Sequence, residues 1–67
     1  MLSEEIVAFI DKDVAVTTFK DGQFIGHLSN EVSGFDAASG HPEIELFTGK
    51  MYVSIKFSDI KKIEELA

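Results

Sequence analysis

The 67-residue chain sets twelve acidic residues against six lysines, has neither arginine nor cysteine, and carries a formal net charge of −6. That size allows a single domain, and the lack of cysteine excludes a disulfide framework or a thiolate metal site, leaving packing or a partner chain to hold it together. So negative a body repels phosphate backbones, and the forked donor that reads base edges is missing, so autonomous nucleic-acid binding is not expected.

The hydrophobic fraction of 45% is that of a folded domain. No run of 18 apolar residues occurs, and no basic segment precedes the N-terminal apolar stretch, so neither a membrane span nor a signal peptide is expected. A cytoplasmic setting is the corresponding expectation.

Taken in order, Ser3 followed by Glu4 and Glu5 reads as the start of a short helix over about residues 3–10. Ser3 is placed to cap it, and the glutamates favour its positive end. Leu2, Ile6, Phe9 and Ile10 recur at helical spacing, with Leu2 set to staple against Val7. Asp11-Lys12-Asp13 forms a polar connector. Val14–Phe19 and Gln23–Ser29 read as strands joined by Asp21-Gly22, the favoured pair for a two-residue type I′ turn. That register sets Phe19 opposite Phe24, Thr17 opposite Gly26 and Ala15 opposite Leu28, with Val14, Val16, Thr18, Ile25 and His27 on the reverse face. Gly26 marks a bulge, a bend or a close approach.

From Asn30 to Pro42 the pattern loosens. Val32 and Phe35 can continue a strand broken by Gly34, with Asp36 starting a turn, and Ala37–Pro42 is a loop by composition. Glu43–Phe57 is the clearest element, a hairpin turning at Gly49-Lys50 with glycine first, as in a type II′ turn. Pairing outward sets Phe47 opposite Tyr52, Leu46 opposite Val53, Glu45 opposite Ser54, Ile44 opposite Ile55 and Glu43 opposite Lys56. Ile44, Leu46, Val53 and Ile55 form a face that must be covered. Beyond it, Ser58-Asp59 suits a tight or 3₁₀ turn. Lys61–Glu65 is either a closing strand or part of a short helix built on Ile60, Ile63 and Leu66.

A short N-terminal helix (about 3–10) and about five short antiparallel strands (about 14–65) define a mainly β chain with one domain over 1–67. Glycines at bends suggest a small SH3-like barrel, which hides sheet edges by closing. The succession F-K-D-G-Q-F-I-G-H-L, G-F-D, I-E-L and I-K-F-S-D-I-K-K-I-E resembles the Sm-like superfamily between about Val14 and Glu64. It is also similar to the YolD-like proteins and to Rof, the inhibitor of the Rho transcription terminator. Asp21, Gly22, Gly26 and Leu28 match the first half of the Sm motif, Phe35-Asp36 its aromatic–aspartate step, and Ile55, Phe57, Ile60 and Ile63 the closing strands. The resemblance implies an Sm-like barrel. Two base-holding elements of Sm-like RNA binders are absent, an asparagine after the aromatic–aspartate step and an Arg/Lys-Gly pair near the final strands. Those departures bring the chain nearer to the Rho-inhibitor branch, which binds protein.

The residues give little chemistry. His27 and His41 are the only imidazoles and no third ligand accompanies them, so no metal or cofactor is expected. Asp11/Asp13, Glu43/Glu45 and Glu64/Glu65 read as solvated charges and no serine has an evident general base, so an enzyme is not expected. Phe47 and Tyr52 lie side by side on the face away from the aliphatic one, rimmed by Glu43, Glu45 and Lys56. Either the helix or a neighbouring strand covers them, or they form the exposed anchor of a protein contact. Phe35 is either core or a cover for the barrel mouth. The leading expectation is an acidic, non-enzymatic protein-binding module, a regulator or inhibitor that engages a basic or nucleic-acid-binding partner, or a second copy of itself. The alternatives are an Sm-like oligomer that binds RNA once lysines gather around a ring, or an accessory domain without separable activity.

Overall fold

The computed structural model describes residues 3–66. Helix α1 (Ser3–Val7) precedes strands β1 (Asp13–Thr18), β2 (Gln23–Val32), β3 (Glu43–Phe47) and β4 (Tyr52–Lys56). A 3₁₀ turn (Phe57–Asp59) then leads into β5 (Ile60–Glu65), so the closing segment is a strand rather than a helix. The helix is shorter than its apolar spacing predicts. After Val7 the chain tightens into successive turns, Phe9 N–H donating to the Ile6 carbonyl (2.9 Å) and Lys12 N–H to that of Phe9 (3.1 Å). The expected Leu2 staple lies outside the described residues, as does the Ser3 side chain.

The strands form one antiparallel sheet in the order β4-β3-β2-β1-β5. This corrects the expected SH3-like or Sm-like barrel. β4 and β5 stand at opposite edges without a ladder between them, so the sheet is open. It is nevertheless curled. In a flat sheet four inter-strand spacings would separate β4 from β5 by about 19 Å, yet the 3₁₀ turn joining them spans only about 8 Å.

β2 makes the bend. Its first half, Gln23–His27, pairs with β1, and its second half, His27–Val32, pairs with β3. Two features lie at the changeover. A Cβ at Gly26 would collide with the Phe47 carbonyl, so β3 comes close over the core side of β2 only because that side chain is missing. Between Leu28 and Asn30 the register slips, leaving Ser29 in a bulge. Gly26 thus marks a close approach, and the bulge falls three residues later.

The β3–β4 hairpin has the expected register at all five pairs, from Phe47↔Tyr52 to Glu43↔Lys56, and Gly49 turns with φ +100°. The β1–β2 register differs by three residues. The observed pairs are Val14↔Gly26, Ala15↔Ile25 and Val16↔Phe24. Thr18 is the cause. Its backbone N–H and its hydroxyl both donate to the Gly22 carbonyl (2.8 and 2.9 Å), and the hydroxyl accepts from Asp21 N–H (2.9 Å). These bonds close a wider loop, Phe19-Lys20-Asp21, than a two-residue Asp21-Gly22 turn and take Phe19 out of the ladder into that loop, exposed, with its N–H on the Asp59 carbonyl.

An odd shift reverses facing. Phe24 and Leu28 move to the core side with Val14 and Val16, while Ile25 and His27 move outward. The buried cluster draws Ile6 from the helix, Val14 and Val16 from β1, Leu28 from β2, Ile44 and Leu46 from β3, Ile55 from β4, and Ile60 and Ile63 from β5. Both halves of the curled sheet therefore share one core.

Two stability rankings follow, measurable by urea unfolding. Leu46 is fully buried and Val53 only partly so. Leu46→Ala should cost about 2–5 kcal/mol and Val53→Ala about 1 kcal/mol, against a total of about 3–10 kcal/mol for a chain of this size. Gly26→Ala should lose more than about 1 kcal/mol, because the added methyl meets a carbonyl and cannot be accommodated by a rotamer change.

Candidate functional site

Alternation and register together fix what the outer face of the sheet presents. Tyr52, Phe47, His27 and Asp13 stand side by side across β4, β3, β2 and β1. Phe47 and Tyr52 meet ring to ring, with centroids 5.0 Å apart and planes inclined by 50°. Neither is covered by the helix or by another strand, since Phe47 is 37% and Tyr52 61% exposed. Ile25, two residues along β2 from His27 and opposite Ala15, adds exposed aliphatic surface. Leu66 reaches the same area, its N–H donating to the Asp13 carbonyl (2.8 Å). Ile25, Phe47 and Leu66 line a shallow depression together with Asp13, His27 and the Thr48-Gly49 turn.

His27 is held between two carboxylates. Its Nδ1 lies 3.1 Å from Asp13 Oδ1 and its Nε2 3.7 Å from Asp11 Oδ1. Asp11 reaches this position from a left-handed backbone, φ +66°. The aspartates flank opposite edges of the ring instead of converging on a point. Among the described residues no group of three or more His, Asp or Glu side chains is disposed to hold a metal ion. His41 lies exposed in the loop before β3, its N–H donating to the Ser39 hydroxyl (3.2 Å).

Along β3, Glu45 and Glu43 continue the outer face from Phe47, as Ser54 and Lys56 do from Tyr52 on β4. Glu43 and Lys56 are cross-strand neighbours, but they form no ion pair. The Glu43 carboxylate accepts from Ser39 Oγ at 2.8 Å instead. The structure thus brings together five of the six sequence candidates: Phe47, Tyr52, Glu43, Glu45 and Lys56. Phe35 is separate. It is neither core nor the cover of a barrel, being fully exposed in the loop after β2, beside Val32, Pro42 and Phe57. The sequence reading missed Ile25 and Leu66. Ile25 was lost with the β1–β2 register, and the available signal was the Thr18 hydroxyl beside the turn, which competes for backbone groups there.

Phe47→Ser with Tyr52→Ser should leave the β-sheet circular dichroism intact, since both rings are on the solvent side. A double-mutant cycle should assign about 0.5–1.5 kcal/mol to the ring contact. Among the described residues no helix is long and apolar enough to cross a membrane. No protein-family model, curated protein or solved structure matches this chain.

Proposed function

We propose that the chain is a non-enzymatic protein-binding module whose outer sheet face, centred on Phe47 and Tyr52, engages a basic or nucleic-acid-binding protein. The observation that carries this reading is the exposed aromatic pair on the open sheet, joined by Ile25 and Leu66. Large rings in contact with each other lose little freedom on binding and supply apolar area at the centre of a contact. Glu43, Glu45 and Asp13 surround them with negative charge on a body of net charge −6. Such a field accelerates encounter with a basic surface and disfavours a second copy of the same chain. An acidic face of this kind can also occupy a cleft built for phosphates. The resemblance to Rof read from the sequence implies the same class of partner. The proposed setting is the cytoplasm, with which a cysteine-free chain is compatible.

Affinity capture from a native lysate, with and without nuclease, tests the reading when the wild type is compared with the Phe47→Ser, Tyr52→Ser variant. The expected result is a basic protein that survives nuclease treatment and is lost with the variant. Recovery of RNA and of nothing else would favour the RNA-binding alternative. Fluorescence anisotropy with mixed single-stranded oligonucleotides gives an independent check. At roughly 0.15 M salt no saturable binding should appear below about 1 μM.

A further inference from the structure

The loop between β2 and β3 is a closed structure with its own bonds. Ser33 C=O accepts from both Asp36 N–H (3.1 Å) and Ala37 N–H (3.0 Å), and Ala37 C=O accepts from Gly40 N–H (3.0 Å). Ser33 Oγ donates to Asp36 Oδ2 (3.2 Å). Gly34 packs so close to Gly40 that a Cβ there would lie 2.9 Å from the Gly40 carbonyl oxygen. Phe57 N–H donates to Pro42 C=O (3.0 Å), tying the end of the loop to the 3₁₀ turn. This framework leaves the Phe35 ring in solvent while Val32, Pro42 and Phe57 form the apolar side of an open cleft beside it. The ionisable residues lining the cleft, Glu31 and Asp36, are both acidic.

We infer that this cleft is a second docking site, which takes a lysine- or arginine-bearing peptide segment with a large apolar side chain inserted between Phe35 and Phe57. Charge complementarity selects the occupant. The acidic lining attracts a basic segment, whereas a second copy of this chain brings a further net charge of −6. The apolar residues supply the anchor pocket, and the hydrogen-bonded loop holds it formed before binding. The site stands apart from the outer-face contact. Phe47 and Glu43 are at opposite ends of β3, so about 13 Å of strand separates the aromatic pair from the start of the cleft.

Amide-resolved NMR titration tests the site. The probe is a synthetic nine-residue peptide with two lysines on each side of a central phenylalanine, glycine filling the other positions. Saturable shifts are expected at Val32, Gly34, Phe35, Asp36, Gly40 and Phe57. Exchanging the peptide's phenylalanine for serine should weaken binding about fivefold, and exchanging its lysines for glutamate should abolish it. In the protein, Phe35→Ser and Asp36→Lys should each weaken binding roughly tenfold, whereas the Phe47→Ser, Tyr52→Ser variant should change it by less than about twofold. Phe35 is fully exposed, so its replacement leaves the core untouched, and the reference spectrum of each variant reports its folding directly.

Four results would each overturn the inference. They are no shifts at millimolar peptide, equal binding of the serine peptide, shifts centred on Phe47 and Tyr52, or the same cleft shifts on concentrating the protein alone. The last would assign the cleft to a second copy. Because the two sets of variants are separate, failure here leaves the outer-face reading standing, and the reverse also holds.

Discussion

The close approach of β3 to β2 at Gly26 is the constraint on which the rest of the sheet depends. β2 pairs with β1 over one half and with β3 over the other, and Gly26 and the bulge at Ser29 lie at the changeover. Any side chain at Gly26 would push the Phe47 carbonyl away and open that bend. With the bend in place, a five-stranded sheet enwraps its own core, and among the described residues the short helix supplies only Ile6 as a fully buried side chain. The same approach fixes the level at which β3 ends, and hence where Phe47 emerges on the outer face beside His27.

How much of this was legible varied with how each register is specified. The β3–β4 hairpin was readable to the residue because Gly49 fixes the turn and strict alternation of Ile44, Leu46, Val53 and Ile55 fixes the facing. In the β1–β2 hairpin both faces carry apolar residues, so alternation did not penalise a three-residue slip. The deciding bonds belong to one hydroxyl, that of Thr18. Barrel closure was beyond reach for a different reason. It depends on a ladder between the first and last positions in the sheet order, and the composition of β4 and β5 does not encode whether those edges meet. Of the candidate contact residues, those on β3 and β4 were found together because their register was right. Phe35 was grouped with them only by residue type.

The charges are distributed unevenly, which the net figure conceals. Glu65 pairs with Lys12 and Glu64 with Lys62, so carboxylates on the β5 side have cationic neighbours. Asp11 and Asp13 share the ring of His27. Towards β3, Glu43 and Asp36 are met by hydroxyls instead of by ion pairs. Glu45 forms no ion pair with any lysine among the described residues. Glu43, Glu45 and Asp36 thus lie close to the two apolar surfaces without an ion pair, with Lys56 across the ladder from Glu43.

The order of the strands in the sheet also dictates the order in which it can form. β1–β2 and β3–β4 are joined by tight turns and need little chain to be immobilised, whereas β1 must wait for a strand about fifty residues further along, a closure whose entropy is recovered only when the ladder is complete. β5, synthesised after the other four, is the strand that β1 requires. Its departure would take Ile60 and Ile63 with it and bare Val14 and Val16 in one step. Backbone amides of β5 and those of β1 that face it should then lose protection from solvent exchange together, earlier than those of the β3–β4 hairpin.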